Sequence, residues 1–254
     1  MKTFEYLLEV RKKKGAGFLL LLDPDKLAFE DLSHVVRHAQ DAGVDAFLVG
    51  SSFMTRDIFE KALIEIKRVA KIPVIIFPGS LFQISSHADA ILFLSVLASR
   101  NTDLIVGNQV HAAPLIRQHK LETISTAYIL VESGKLTSAH FMSDSFPIPR
   151  EKSEIAAAYS MAAEMFGMKM IYLEAGSGAP SCVPKEMVQV VSKAVNMPVA
   201  VGGGIRDPGI AGELAGAGAS FIVTGNFFEN DGNSNKLKEF ARAVHFKQHE
   251  GVIV

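Results

Sequence analysis

Apolar residues along this 254-residue chain fall into two alternating rhythms. Short continuous runs rich in Val, Ile, Leu and Phe recur at 18–22 (FLLLL), 45–49 (DAFLV), 73–77 (PVIIF), 90–95 (AILFLS), 124–131 (ISTAYILV), 170–173 (MIYL), 198–201 (PVAV) and 220–223 (SFIV). Runs this short and unbroken read as strands covered on both faces. Between most of them lie stretches with helical spacing, at 28–42, 54–70, 152–167, 183–195, 207–217 and 235–247. Strands alternating with helices predict βαβ repetition, and a parallel sheet of eight strands closes most economically into a TIM (β/α)8 barrel. Two places break the repeat. The segment 78–89 (PGSLFQISSHAD) is too short for a crossover helix and two loops, so the helix after strand three is expected to be replaced by a loop or extended segment. The segment 132–150 (ESGKLTSAHFMSDSFPIPR) is instead long and broken by Ser and Pro, and long connections on such scaffolds often carry function. No linker or composition shift divides the chain, so one domain over 1–254 is expected.

In barrels of this kind the chemistry sits at the C-terminal ends of the strands, and each end carries a distinct signal. Strand one ends in LLDPDK, which places Asp23 and Asp25 two residues apart beside Lys26. Asp25 reads equally well as a functional carboxylate or as a turn or cap residue, whereas Asp23, at the lip of a buried strand, reads as functional. A carboxylate there suits Mg2+, which takes hard oxygen ligands and retains waters for a phosphate-bearing substrate. Strand two ends in Gly50, Ser51 and Ser52, whose hydroxyls are either helix caps or partners of the same ion. Strand six ends in Tyr172, Leu173 and Glu174, followed by Ala175, Gly176, Ser177 and Gly178. Tyr172 and Glu174 share one side of the strand, and the turn after them is either an ordinary loop or a nest of amides for an anion. Strand seven ends in Gly202, Gly203 and Gly204 before Ile205, Arg206 and an Asp-Pro helix start, and strand eight ends in Gly225 and Asn226. Loops after strands seven and eight commonly hold phosphate in this fold, so the combination predicts a phosphate-binding barrel.

Composition narrows the partners. The chain is 48% hydrophobic and 21% charged with a formal net charge of -1, which gives no general attraction to nucleic acid or anionic lipid. A single cysteine forms no internal disulfide, and the eight histidines lack metal spacing; His111, His119 and His140 read as surface residues. The start of the chain lacks the apolar stretch of a signal peptide or membrane span, and the expected location is cytoplasmic. The 17 phenylalanines, with the segments 77–83 and 95–110, can line an apolar trough where the missing helix leaves space. Arg100 and Asn101 stand either at a diphosphate-receiving rim or at an ordinary helix start.

The elements LLDPDK at 21–26, YLEAGSG at 172–178, GGGIRDP at 202–208 and TGN at 224–226, in this order, resemble the geranylgeranylglyceryl phosphate synthase family, which includes archaeal enzymes and bacterial heptaprenylglyceryl phosphate synthases. The resemblance spans nearly the whole chain. It implies a modified barrel with one helix replaced, and transfer of a prenyl group from a prenyl diphosphate to the 3-hydroxyl of sn-glycerol 1-phosphate with Mg2+. It further implies that Tyr172, Leu173, Glu174, Ala175, Gly176, Ser177, Gly178, Gly203, Gly204, Gly225 and Asn226 hold the glycerol phosphate. The metal would lie on Asp23 and on Ser52 or Ser51, with Glu174 and Tyr172 as the catalytic pair and a homo-oligomer as the assembly. Leu21 stands where the bacterial heptaprenyl enzymes carry a lysine. Two other classes share such loops: an isomerase or lyase of amino-acid biosynthesis, and a non-catalytic phospholigand binder. The first would want an Asp or Lys pair at strand ends where this chain has serines and ILVESGK.

Overall fold

The computed structural model describes residues 1–225 and 236–248. Eight parallel strands close in sequence order into a barrel: β1 Gly17–Leu22, β2 Ala46–Val49, β3 Val74–Ile76, β4 Ala90–Val96, β5 Glu122–Leu130, β6 Met170–Glu174, β7 Val199–Gly202 and β8 Phe221–Thr224. Closure is made by β1 on β8, with Gly17 opposite Phe221 and Leu20 opposite Thr224. The strands are continuously apolar because each packs on two hydrophobic layers. Alternate residues such as Leu19, Leu48, Ile75, Leu92, Tyr128, Tyr172 and Phe221 fill the barrel interior. Their neighbours, among them Phe18, Leu20, Phe47, Val49, Ile129, Leu173 and Ile222, pack outward against the helices. This alternation aims Asp23 and Glu174, each two or four residues beyond an interior side chain of its own strand, at the barrel mouth.

The helices are α1 Thr3–Lys14, α2 Leu32–Asp41, α3 Phe59–Val69, α4 Asn108–Gln118, α5 Ser138–Met142, α6 Ser153–Met165, α7 Lys185–Ala194, α8 Pro208–Gly216 and α9 Leu237–Val244. Most bury residues one turn apart, as α2 does with Leu32, Val36 and Ala39. The Asp-Pro start of α8 behaves as its sequence predicts: Asp207 accepts a hydrogen bond from the Ile210 N–H at 3.1 Å and Pro208 opens the helix. No helix lies between β3 and β4. The segment 54–70 becomes helical later than its spacing predicts, at Phe59, whereas 28–42 opens with a 3-10 turn at Phe29–Asp31 that leads into α2.

Helix α4 escapes the sequence reading. It buries only Ala112 and Ile116, carries Pro114 in its interior, and is entered through a wide helical turn at Asp103–Gly107. Helix α1 lies under the opposite end, where Leu7 joins the interior cluster. A polar knot fixes that end. Buried Asp45 accepts from the Phe18 N–H at 2.8 Å, Lys14 Nζ at 2.5 Å and His245 Nε2 at 2.8 Å, joining α1, β1 and the segment after α9. Among the described residues no helix is long and apolar enough to cross a membrane.

Candidate active site

One cavity of about 480 Å3 opens at the C-terminal mouth and runs sideways into the gap left by the missing helix. Its polar end is walled by Ser51, Ser52, Ser177, Gly178, Gly203, Gly204, Arg206 and Gly225. Its apolar end passes Phe77, Leu81, Phe93 and Leu104 to Ala112 and Ile116. Tyr172 and Glu174 lie between the two.

Glu174 is 6% exposed, at the end of β6 between Leu130 of β5 and Gly202 of β7. Burial raises its carboxyl to about 7, against a hydrogen bond from the Gly176 N–H at 2.6 Å and another from the Tyr172 hydroxyl. Tyr172 belongs to an interior aromatic trio, with ring centroids 5.1 Å from Phe77 and 5.4 Å from Tyr128. Burial and the neighbouring Glu174 charge push both tyrosine hydroxyls well above their usual range, so they remain protonated donors. Phe77 opens the segment 77–83 expected to line the trough and does line the cavity; Tyr128 was not among the sequence candidates, being an ordinary strand residue until the barrel closes.

The glycine-rich rims converge. Gly203 has φ +84°, and a Cβ there would meet the Glu174 carboxylate and lie 2.5 Å from the Gly176 nitrogen. Only glycine lets the β7 loop lie flat on the β6 turn. Arg206 ties the same loops by donating to the Ala179 carbonyl at 2.8 Å and the Gly178 carbonyl at 3.3 Å. A Cβ on Gly225 would lie 3.2 Å from Leu21, which places strands one and eight at one mouth. Leu173 and Ala175 point into the outer core and do not line the cavity. Asn226 lies outside the described residues.

Asp23, 5% exposed, is held from three sides. Its Oδ1 accepts from the Asp25 N–H at 3.0 Å, while Oδ2 accepts from Ser51 Oγ at 3.0 Å and pairs with Lys26 Nζ at 3.1 Å. The hydroxyl on Asp23 is therefore that of Ser51, with Ser52 beside it on the cavity wall. Buried Gln83 sets this choice: it accepts from the Ser51 N–H at 3.1 Å and donates to the Ser51 carbonyl at 2.7 Å, fixing which way the serine faces. Asp25 is neither a helix cap nor a cavity residue. It accepts from Thr55 Oγ1 at 2.9 Å and the Arg56 N–H at 3.3 Å, joining the loops after β1 and β2.

Arg100 and Asn101 are not brought to the cavity. Neither lines it, and Asn101 Oδ1 accepts from the Asp103 N–H at 3.0 Å, so it caps the turn leading into α4. His140 is 2% exposed, correcting its reading as a surface residue: the segment 132–150 folds back over the barrel and buries it.

Sequence and structure comparisons place these features among known proteins. The PcrB family model matches residues 8–244. A geranylgeranylglyceryl phosphate synthase of Flavobacterium johnsoniae is 44% identical over 227 residues, 89% of this chain and 93% of that protein. One of Korarchaeum cryptofilum is 45% identical over 224 residues, 87% of this chain and 92% of that protein. Among solved structures, (S)-3-O-geranylgeranylglyceryl phosphate synthase from Thermoplasma acidophilum, in complex with its substrate sn-glycerol-1-phosphate, superposes with a TM-score of 0.92 at 35% identity, covering 97% of this chain and 99% of that one. With matches that run through every strand bearing the mouth described above, the chain belongs to the PcrB family.

Proposed function

We propose that this chain transfers a geranylgeranyl or similarly long prenyl group from a prenyl diphosphate to the 3-hydroxyl of sn-glycerol 1-phosphate, giving an ether-lipid precursor and pyrophosphate. The observation that carries this reading is the placement of Glu174, a carboxyl poised at about 7, between a glycine-walled polar mouth and an apolar trough within one cavity. A water-soluble phosphate and a hydrocarbon chain then meet at a single carboxylate. The sn-glycerol-1-phosphate held by the Thermoplasma acidophilum relative supports the choice of acceptor.

In this reading Ser177, Gly178, Gly203, Gly204 and Gly225 surround the phosphate with backbone, where amides of glycine loops suit an anion, while the Gly176 N–H stays on Glu174. Asn226 would complete that rim. The Tyr172 hydroxyl bonds Glu174 and, with the Gly176 N–H, fixes the carboxylate in one orientation. Glu174 takes the proton of the 3-hydroxyl as its oxygen bonds to the allylic carbon and the carbon–diphosphate bond breaks. A pKa near the working pH suits that exchange. The closed aromatic interior behind Tyr172 keeps water from the allylic carbon.

Asp23 and Ser51 offer oxygen donors alone, which fits a magnesium ion that draws its other ligands from substrate phosphate and water. Lys26 would share the carboxylate with the ion. When bound, Mg2+ would offset charge on the departing diphosphate. The exposed apolar residues Ile155, Met161, Met165 and Phe166 on and just after α6 support a homo-oligomer.

The test is direct. Incubation with geranylgeranyl diphosphate, sn-glycerol 1-phosphate and Mg2+ is expected to release one pyrophosphate per ether product. Absence of pyrophosphate, or its release without the glycerol acceptor being consumed, would overturn the assignment.

A further inference from the structure

The connection between β5 and α6 carries a buried polar pair that the chemistry above does not use. Thr137 and His140, 5% and 2% exposed, stand at the start of α5. Thr137 Oγ1 lies 2.9 Å from His140 Nδ1, the Thr137 N–H donates to that same nitrogen at 3.3 Å, and His140 Nε2 lies 3.3 Å from the Val131 carbonyl oxygen. This pattern assigns the ring. Nε2 carries the proton and donates to Val131, leaving Nδ1 as the acceptor for Thr137. Burial pushes the imidazole below its ordinary range and keeps it neutral.

Thr137 held in this way lies against Gly176. A Cβ built on Gly176 would come within 2.7 Å of the Thr137 Cβ, so the threonine occupies the space into which the turn would otherwise relax. Gly176, at φ +96°, is the residue whose N–H bonds the Glu174 carboxylate. The other end of the brace is Val131, whose N–H donates to the Glu174 backbone carbonyl at 2.8 Å while its carbonyl takes the imidazole. The pair therefore spans from the strand beside Glu174 to the turn beyond it.

We propose that Thr137 and His140 are positioning residues, which press the Gly176 turn into the one conformation that aims its N–H at the Glu174 carboxylate. Loosening the brace weakens a hydrogen bond that favours the ionised carboxylate, so Glu174 holds its proton to higher pH. Among the described residues, Tyr128 and Tyr172 are the titratable groups coupled to Glu174, and the substitutions below touch neither. The catalytic part of this role rests on Glu174 being the base; the geometric part does not.

The two parts are measured separately in the full chain. Glu174 is titrated by its infrared carboxyl stretch, assigned by the band that Glu174→Gln removes, and kcat and KM are measured against pH. Thr137→Val keeps the volume but loses the hydroxyl, and Thr137→Ser keeps the hydroxyl. Thr137→Val is expected to move the Glu174 titration up by about one unit, lower kcat at neutral pH about tenfold and leave KM for the prenyl diphosphate unchanged. Thr137→Ser is expected to restore both. An unmoved titration in Thr137→Val, with only a lower melting temperature, would mark plain packing and overturn the proposal. If Thr137→Val does not fold, His140→Gln takes its place: a raised Glu174 titration supports the brace and an unmoved one overturns it. A titration that moves while the pH–rate profile stays fixed upholds the brace and removes Glu174 as the base.

Discussion

Replacing Glu174 by Gln separates what this residue does for catalysis from what it costs the fold. A free glutamate ionises near 4.5, whereas Glu174 in the folded protein ionises at about 7 because burial disfavours its charge. Between those values the unfolded chain has released the proton and the folded one still holds it, so stability falls as pH rises across that window. The gap is about 2.5 units, and at about 1.36 kcal/mol per unit the ionised residue costs the folded state about 3 kcal/mol above pH 7. Gln is neutral, has nearly the same shape, and can still accept from the Gly176 N–H. Urea unfolding of parent and Glu174→Gln at pH 5 and pH 8 measures the effect. The variant is expected to be the more stable at pH 8 by up to about 3 kcal/mol, and the difference is expected to shrink toward pH 5. Prenyl transfer in the same preparation is expected to fall about a thousandfold, while sn-glycerol 1-phosphate still binds. A stability difference independent of pH would refute the burial argument, and full turnover would refute the assignment as base.

Other predictions concern the rims, the trough and the closed end. Gly203→Ala forces a Cβ toward the Glu174 carboxylate at a φ of +84°, so kcat/KM for sn-glycerol 1-phosphate is expected to drop about a hundredfold, with circular dichroism unchanged. Ala112→Phe fills the apolar end of the cavity; activity with geranylgeranyl diphosphate is expected to fall about tenfold while geranyl diphosphate is retained, as read by product chromatography. Asp45→Asn leaves half-buried Lys14 without its counter-charge and weakens the acceptor of buried His245, and is expected to cost about 3 kcal/mol in urea unfolding, without changing KM for either substrate. Burial works to raise the Asp45 carboxyl, but bonds from His245, Lys14 and Phe18 hold it below its ordinary value. The parent should therefore lose stability as pH falls through that lowered pKa, and Asp45→Asn should lose less there.

The barrel was legible because its strands are short, doubly covered and apolar throughout, a pattern a βαβ repeat makes hard to mistake. The absent helix after β3 was legible from chain length alone. Helix α4 was not, since two buried positions and a proline give almost no periodic signal, and its place beside β4 is decided by packing. At the site, Asp23, Glu174 and the glycine rims announced themselves as strand-end residues of unusual type. Ser51 could not be told from Ser52, because the choice depends on Gln83, which lies 32 residues away in an unremarkable loop. His140 was invisible for a related reason: nothing nearby in sequence shows that the segment around it folds back against Gly176. Arg100 and Asn101 suited phosphate by residue type, yet the Asn101 side chain is spent on the Asp103 N–H and neither residue lines the cavity.

The interrupted ring of helices has a further meaning. Strand β3 has only three residues, Val74–Ile76, and beyond it the hydrophobic flank is finished by the cavity rather than by a helix. A hydrocarbon tail lying there would stand in for the absent element, so the substrate would serve as a removable piece of the protein's own interior. Empty and loaded forms should then differ in where heat first opens the molecule, with the β3 to β4 flank yielding early in one and late in the other.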